Sequence, residues 1–118
     1  MLVRSPKPAV ADISTTDFND IVTDPAIDIV AEVMGGLHPA YEYVTAAMKA
    51  GKHVVTANKA LIAAYYTELT SLAREMGVGL LCTAAVGGGI PWLVNLARVC
   101  KLDAIERLGG IMNGTSNF

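Results

Sequence analysis

Apolar positions fall into short continuous runs that alternate with helical stripes. Residues 27–34 (Ile-Asp-Ile-Val-Ala-Glu-Val-Met) are nearly all apolar and rich in β-branched side chains, the pattern of a buried parallel strand. Gly35-Gly36 follows, and Pro39 suits the first turn of a helix. Tyr43, Ala47 and Met48 give a helical stripe to Ala50, where Gly51 can end the helix in the left-handed conformation. Residues 52–56 then form a second strand, because His53, Val54, Val55 and Thr56 favour extended backbone. Leu69, Leu72, Ala73 and Met76 predict a helix over 65–76 that stops at Gly77. A third strand is expected over 78–85 and a helix over 91–100. A last strand over 105–112 runs into Asn113-Gly114. Upstream, residues 1–3 read as the remnant of a strand, 10–13 as a short extended piece, and 17–22 as a helix capped by Thr15 or Thr16. Thr23-Asp24-Pro25 ends that helix.

Strands alternating with helices of about ten residues imply crossover connections and a parallel sheet, an α/β fold. The unusual residues fall on one side of this pattern. Gly35-Gly36, Asn58-Lys59, Gly87-Gly88-Gly89 and Asn113-Gly114-Thr115 each come just after a strand. In open parallel sheets that end holds the ligand. Lys59 is therefore expected to face one.

Composition narrows the class. Apolar residues make up 53% and charged residues 17% of the chain, as in a globular domain. A net charge of -2 without a lysine or arginine run argues against nucleic acid. No apolar run approaches the ~18 residues of a membrane span, and residues 1–8 lack the apolar core of a signal peptide. Cys82 and Cys100 share no metal-ligand spacing and read as reduced core thiols of a cytoplasmic protein. The first residues resemble the tail of a strand and the last a polar turn with nothing after it, so a piece of a longer protein is expected.

Four strings carry a family resemblance: Glu32-Val33-Met34-Gly35-Gly36; Gly51-Lys52-His53-Val54-Val55-Thr56-Ala57-Asn58-Lys59-Ala60-Leu61; Ala85-Val86-Gly87-Gly88-Gly89-Ile90-Pro91; and Asn113-Gly114-Thr115-Ser116-Asn117-Phe118. In order and spacing they resemble homoserine dehydrogenase over roughly residues 24–118. The Thr-Ala-Asn-Lys block is the most specific. The resemblance implies NAD(P)-dependent interconversion of L-homoserine and L-aspartate 4-semialdehyde, in threonine and methionine biosynthesis. It implies a partial Rossmann-like fold whose first strand–helix unit, with its Gly-x-Gly-x-x-Gly turn, is missing. Residues 1–104 would be a partial NAD(P)-binding domain and 105–118 the start of the catalytic and dimerisation domain. The family's substrate carboxylates and proton-relay lysine would lie beyond Phe118, so the isolated chain is expected to be inactive.

By the same resemblance Lys59 is the catalytic cation, and its charge suits the alkoxide that develops when hydride adds to an aldehyde. Met34, Gly35 and Gly36 would pass beneath the nicotinamide ribose, with Asn58 ordering the turn or touching cofactor. Asn113, Gly114 and Thr115 would lie on the substrate side. Arg4, next to Ser5, would suit a 2′-phosphate, which favours NADP over NAD. A sodium ion could rest on the carbonyls of Val86, Gly88 and Ile90, although Thr83 stands where the family has a glutamate ligand. A phosphate loop at Gly87–Gly89 is rejected because Pro91 removes a donor. The partners expected are a small-molecule substrate and a second copy of the chain. Two alternatives remain. Dehydrogenases of the glucose–fructose or inositol type share the Ala-Gly-Lys-His-Val strand but continue with Glu-Lys-Pro. A non-catalytic dehydrogenase fold would self-associate through its exposed sheet.

Overall fold

The computed structural model describes residues 1–5 and 7–111. Its centre is a three-stranded parallel sheet in the order β1 (Ile29–Glu32), β2 (His53–Thr56), β3 (Leu80–Leu81). Between the strands run α2 (Ala40–Lys49) and α3 (Lys59–Met76). A short α1 (Asn19–Val22) precedes the sheet, and α4 (Trp92–Val99) follows it. The fold is α/β and parallel, as the alternation of runs and stripes predicts. The register sets Ile29 opposite His53 and Glu32 opposite Thr56, so β1 and β2 end level with each other.

The core lies on one face of the sheet. Ala40, Val44, Ala47 and Met48 of α2 pack with Leu61, Ile62, Leu69 and Ala73 of α3 over Val54. Tyr41 of α2 donates its hydroxyl to Glu68 of α3, and its ring stands 4.5 Å from that of Tyr65. Along β2 burial alternates: Val54 and Thr56 are buried, His53 and Val55 exposed. This corrects the reading of residues 27–34 as a strand covered on both faces. Ile29 is 61% exposed and Leu81 52%, because among the described residues both connecting helices pack on the other face.

Other expectations change as well. Residues 8–13 form a 3-10 turn rather than an extended piece, in keeping with Pro8 at its first position. Of the strand at 1–3, a parallel bridge from Leu2 to Thr15 is all that forms among the described residues. Asp17, rather than a threonine, accepts from the Asn19 amide at the start of α1. α3 begins at Lys59 instead of 65; its backbone leaves helical geometry at Tyr65, the residue expected to start the helix. The strand at 78–85 shortens to Leu80–Leu81, since its partner β2 ends at Thr56, and Thr83–Ala85 turn into a 3-10 helix. Residues 105–111 pair with no strand among the described residues. α4 buries none of its side chains fully, and Cys100 after it is exposed rather than in the core. Cys82 is half-buried, which pushes its thiol pKa up, and both cysteines are free. No helix among the described residues is long and apolar enough to cross a membrane.

Candidate functional site at the carboxyl ends of the first two strands

At its end β1 turns through Val33 and Met34 into Gly35 and Gly36, with φ of 75° and 74°. Two successive left-handed residues call for glycine. Among the described residues no atom outside the adjoining residues lies within 4 Å of where a Cβ would stand on either, so the turn is an open shelf. β2 ends beside it in Ala57, Asn58 and Lys59. Asn58 is the N-cap of α3, its Oδ1 accepting from the Leu61 amide at 3.2 Å. The Asn58 side-chain amide donates to the Gly36 carbonyl at 2.6 Å and to Glu32 Oε1 at 3.4 Å. One buried side chain thus ties the glycine shelf to the start of α3.

Glu32, 4% exposed, forms the floor. Its Oε1 accepts from the Met34 amide at 2.7 Å, and its Oε2 accepts from the Thr56 hydroxyl at 2.6 Å. Thr56 Oγ1 in turn accepts from the Asn58 amide at 3.0 Å. Every partner of the carboxylate is a donor, which satisfies an acceptor-only anion. Lys59, the first residue of α3, is exposed and pairs with no acid among the described residues. A cation at that position opposes the helix dipole. The arrangement is a positive charge on the rim of an open glycine shelf, over a polar floor.

Met34, Gly35, Gly36, Asn58 and Lys59 therefore share one end of the sheet, and hydrogen bonds join Met34 to Asn58 through Glu32 and Asn58 directly to Gly36. Arg4 is exposed on the N-terminal segment and shares no hydrogen bond with this cluster. Beside that segment a cavity of about 500 Å³, lined by Val3, Lys7, Ala11 and Thr15 among others, includes none of the cluster's residues. Val86, Gly88 and Ile90 lie in the turn after β3, where Gly87 and Gly88 have φ of 78° and 61°. The Ile90 carbonyl already accepts from the Trp92 amide at 2.7 Å, and Thr83 is exposed. Asn113, Gly114 and Thr115 lie outside the described residues. Sequence reasoning gave no role to Glu32 or Thr56. The signal for Glu32 was present, an acid inside an apolar strand.

The family model described as "Homoserine dehydrogenase, NAD binding domain" matches residues 5–83. The chain belongs to the homoserine dehydrogenase family. It is 48% identical over 107 residues to a homoserine dehydrogenase of Synechocystis, covering 91% of this chain and 25% of that protein. It is 52% identical over 99 residues to the homoserine dehydrogenase of Lactococcus lactis, covering 84% and 23%. The structure resembles a homoserine dehydrogenase from Thiobacillus denitrificans with a TM-score of 0.85 and 46% identity, over 99% of this chain and 28% of that one. A hyperthermophilic archaeal homoserine dehydrogenase in complex with NADPH matches at a TM-score of 0.61 and 32% identity, over 68% of this chain and 25% of that one. The chain thus spans about a quarter of the length of these relatives. Membership sets aside the sugar-dehydrogenase alternative and supports a nicotinamide-binding, Rossmann-like oxidoreductase fold.

Proposed function

We propose that this chain supplies the nicotinamide side of a homoserine dehydrogenase, which interconverts L-homoserine and L-aspartate 4-semialdehyde. The observation that carries the reading is the Asn58 bridge, which sets exposed Lys59 beside the open Gly35-Gly36 shelf at one end of the sheet. The cofactor supplies hydride transfer when bound. The shelf fits it, since two glycines without a neighbour among the described residues let a flat ligand approach the backbone. Lys59 Nζ carries three N–H donors and a full charge. It holds the substrate oxygen and lowers the cost of negative charge developing there. The α3 N-terminus behind it adds positive potential of the same sign. Asn58 orders the turn, because its amide and carbonyl are already engaged within the protein.

NADP is the preferred cofactor in this reading. Exposed Arg4 suits a 2′-phosphate, and the archaeal relative was solved with NADPH. Asn113, Gly114 and Thr115 complete the substrate side, with residues 105–118 opening the catalytic domain. The sodium reading goes no further than a weak site on the carbonyls of Val86, Gly88 and Ile90: those neutral oxygens lack a carboxylate, and one is already engaged. The enzyme works as a homo-oligomer in the cytoplasm, where free thiols such as Cys82 and Cys100 persist.

The test is a graft that sets this chain in place of the matching 107 residues of the Synechocystis relative. The isolated chain is expected to show no homoserine-dependent reduction of NADP⁺, the graft to turn over, and Lys59→Ala in the graft to lose at least a hundredfold in kcat. Wild-type kcat in Lys59→Ala would refute the role of Lys59. An inactive but folded graft would refute the functional reading.

A further inference from the structure

We infer that Glu32 is the positioning residue of this site, and that its carboxylate couples the glycine shelf to the Lys59 turn so that the two move as one unit. The inference rests on the proposed function for its catalytic consequence, though not for its geometry. Glu32 is 4% exposed and reaches both loops at once: Oε1 accepts from the Met34 amide at 2.7 Å, on the shelf side, and Oε2 accepts from the Thr56 hydroxyl at 2.6 Å, on the lysine side. Asn58 closes the ring, donating to Glu32 Oε1 at 3.4 Å and to the Gly36 carbonyl at 2.6 Å. The parallel register makes this possible by setting Glu32 directly opposite Thr56. A second polar chain runs from the Asn58 amide to Thr56 Oγ1 and from the Thr56 hydroxyl to Glu32. Hydrogen bonds linked in this way polarise one another.

No lysine, arginine or histidine pairs with Glu32 among the described residues. A buried carboxylate is costly unless several donors satisfy it. Here those donors come from both loops, so opening either one removes part of the anion's solvation and strains the other. An apolar or amide side chain could fill the same space without this coupling. A glutamine in particular presents an N–H₂ group where one of the three donors now points.

The first measurement is amide hydrogen exchange of the chain with Glu32→Gln. Exchange is expected to rise about tenfold at Met34, Asn58 and Leu61 together. The amides of His53 and Val54, at the other end of β2 and bonded to Asp28 and Gly79, are expected to keep their wild-type rates. A rise at Met34 alone would overturn the coupling, as would an equal rise at all five amides. Thr56→Val, which removes only the lysine-side link, is the milder variant: it too is expected to speed exchange at Met34, and an unchanged Met34 would overturn the proposal. The second measurement uses the graft with Synechocystis. Glu32→Gln is expected to raise the NADP⁺ KM and lower kcat together, and to cost less when Lys59→Ala is already present. Strictly additive effects would overturn the positioning role. A wild-type graft without turnover would sink the functional reading, while the exchange measurement still decides the coupling.

Discussion

Asn58 separates capping from cross-loop bonding in a single substitution. Its Oδ1 caps α3 through the Leu61 amide, and its side-chain N–H₂ bonds Gly36 and Glu32. Asn58→Ala removes both functions. A lost cap costs about 1 kcal/mol and the lost bond to the Gly36 carbonyl about 1 kcal/mol, so about 2 kcal/mol in all. Asn58→Asp keeps the cap, and at a helix N-terminus asparagine and aspartate are equally good. It also turns the donor into an anion. The new oxygen stands where N–H now meets the Gly36 carbonyl at 2.6 Å, and 3.4 Å from Glu32 Oε1. Two unit charges at that spacing repel by about 5 kcal/mol at an effective dielectric near 20, before the side chains relax. We expect a net loss of about 3 kcal/mol, more than for alanine. Urea unfolding followed by circular dichroism measures both. The pH dependence has a definite sign. Its neighbours disfavour the new carboxylate, so its folded pKa lies above the unfolded value of about 3.9. The penalty is absent below the unfolded pKa and grows as pH rises through the folded one, so the gap to wild type narrows from pH 7 to pH 4. Asn58→Asp within about 0.5 kcal/mol of wild type at pH 7 would refute the bridge and leave Asn58 a simple cap.

Three further outcomes follow from named contacts. Lys52 is 5% exposed and donates to the Asp24 and Ile27 carbonyls at 2.7 Å each; Lys52→Met should cost about 2 kcal/mol or more in urea unfolding, with little response to salt, because its partners are carbonyls rather than acids. Among the described residues Gly36→Ala meets no atom, but it forces φ of 74° on a side chain and should lower stability by about 1–2 kcal/mol, whereas Gly89→Ala, without positive φ or a close described neighbour, should be near neutral; equal costs would refute the strain. Cys100 is exposed while burial raises the pKa of Cys82, so iodoacetamide followed by mass spectrometry should find Cys100 alkylated at least about tenfold faster at pH 8.

Much of the fold was legible locally. The run at 27–34, the stripe ending at Gly51 and the helix ending at Gly77 depend on neighbours three or four residues away, and each reappears, with Gly77 at φ 68°. The start of α3 was legible too, in Asn58 as a cap, but the stripe from Leu69 to Met76 put the expected start at Tyr65, where the helix is kinked. The strand expected over 78–85 shortens, and the one expected over 105–112 has no partner among its described residues 105–111, for a different reason. Strand propensity names what can pair, while length depends on a partner, and β3 has one only as far as Val55.

The sequence by itself determined that this is a parallel α/β chain with glycines and a lysine gathered at the strands' carboxyl ends, because periodicity and turn chemistry act within a few residues. Only the tertiary structure decided which face of the sheet is covered and what Glu32 and Asn58 do. Their partners across the two strands lie more than twenty residues away, and they meet only because the parallel register brings Glu32 level with Thr56.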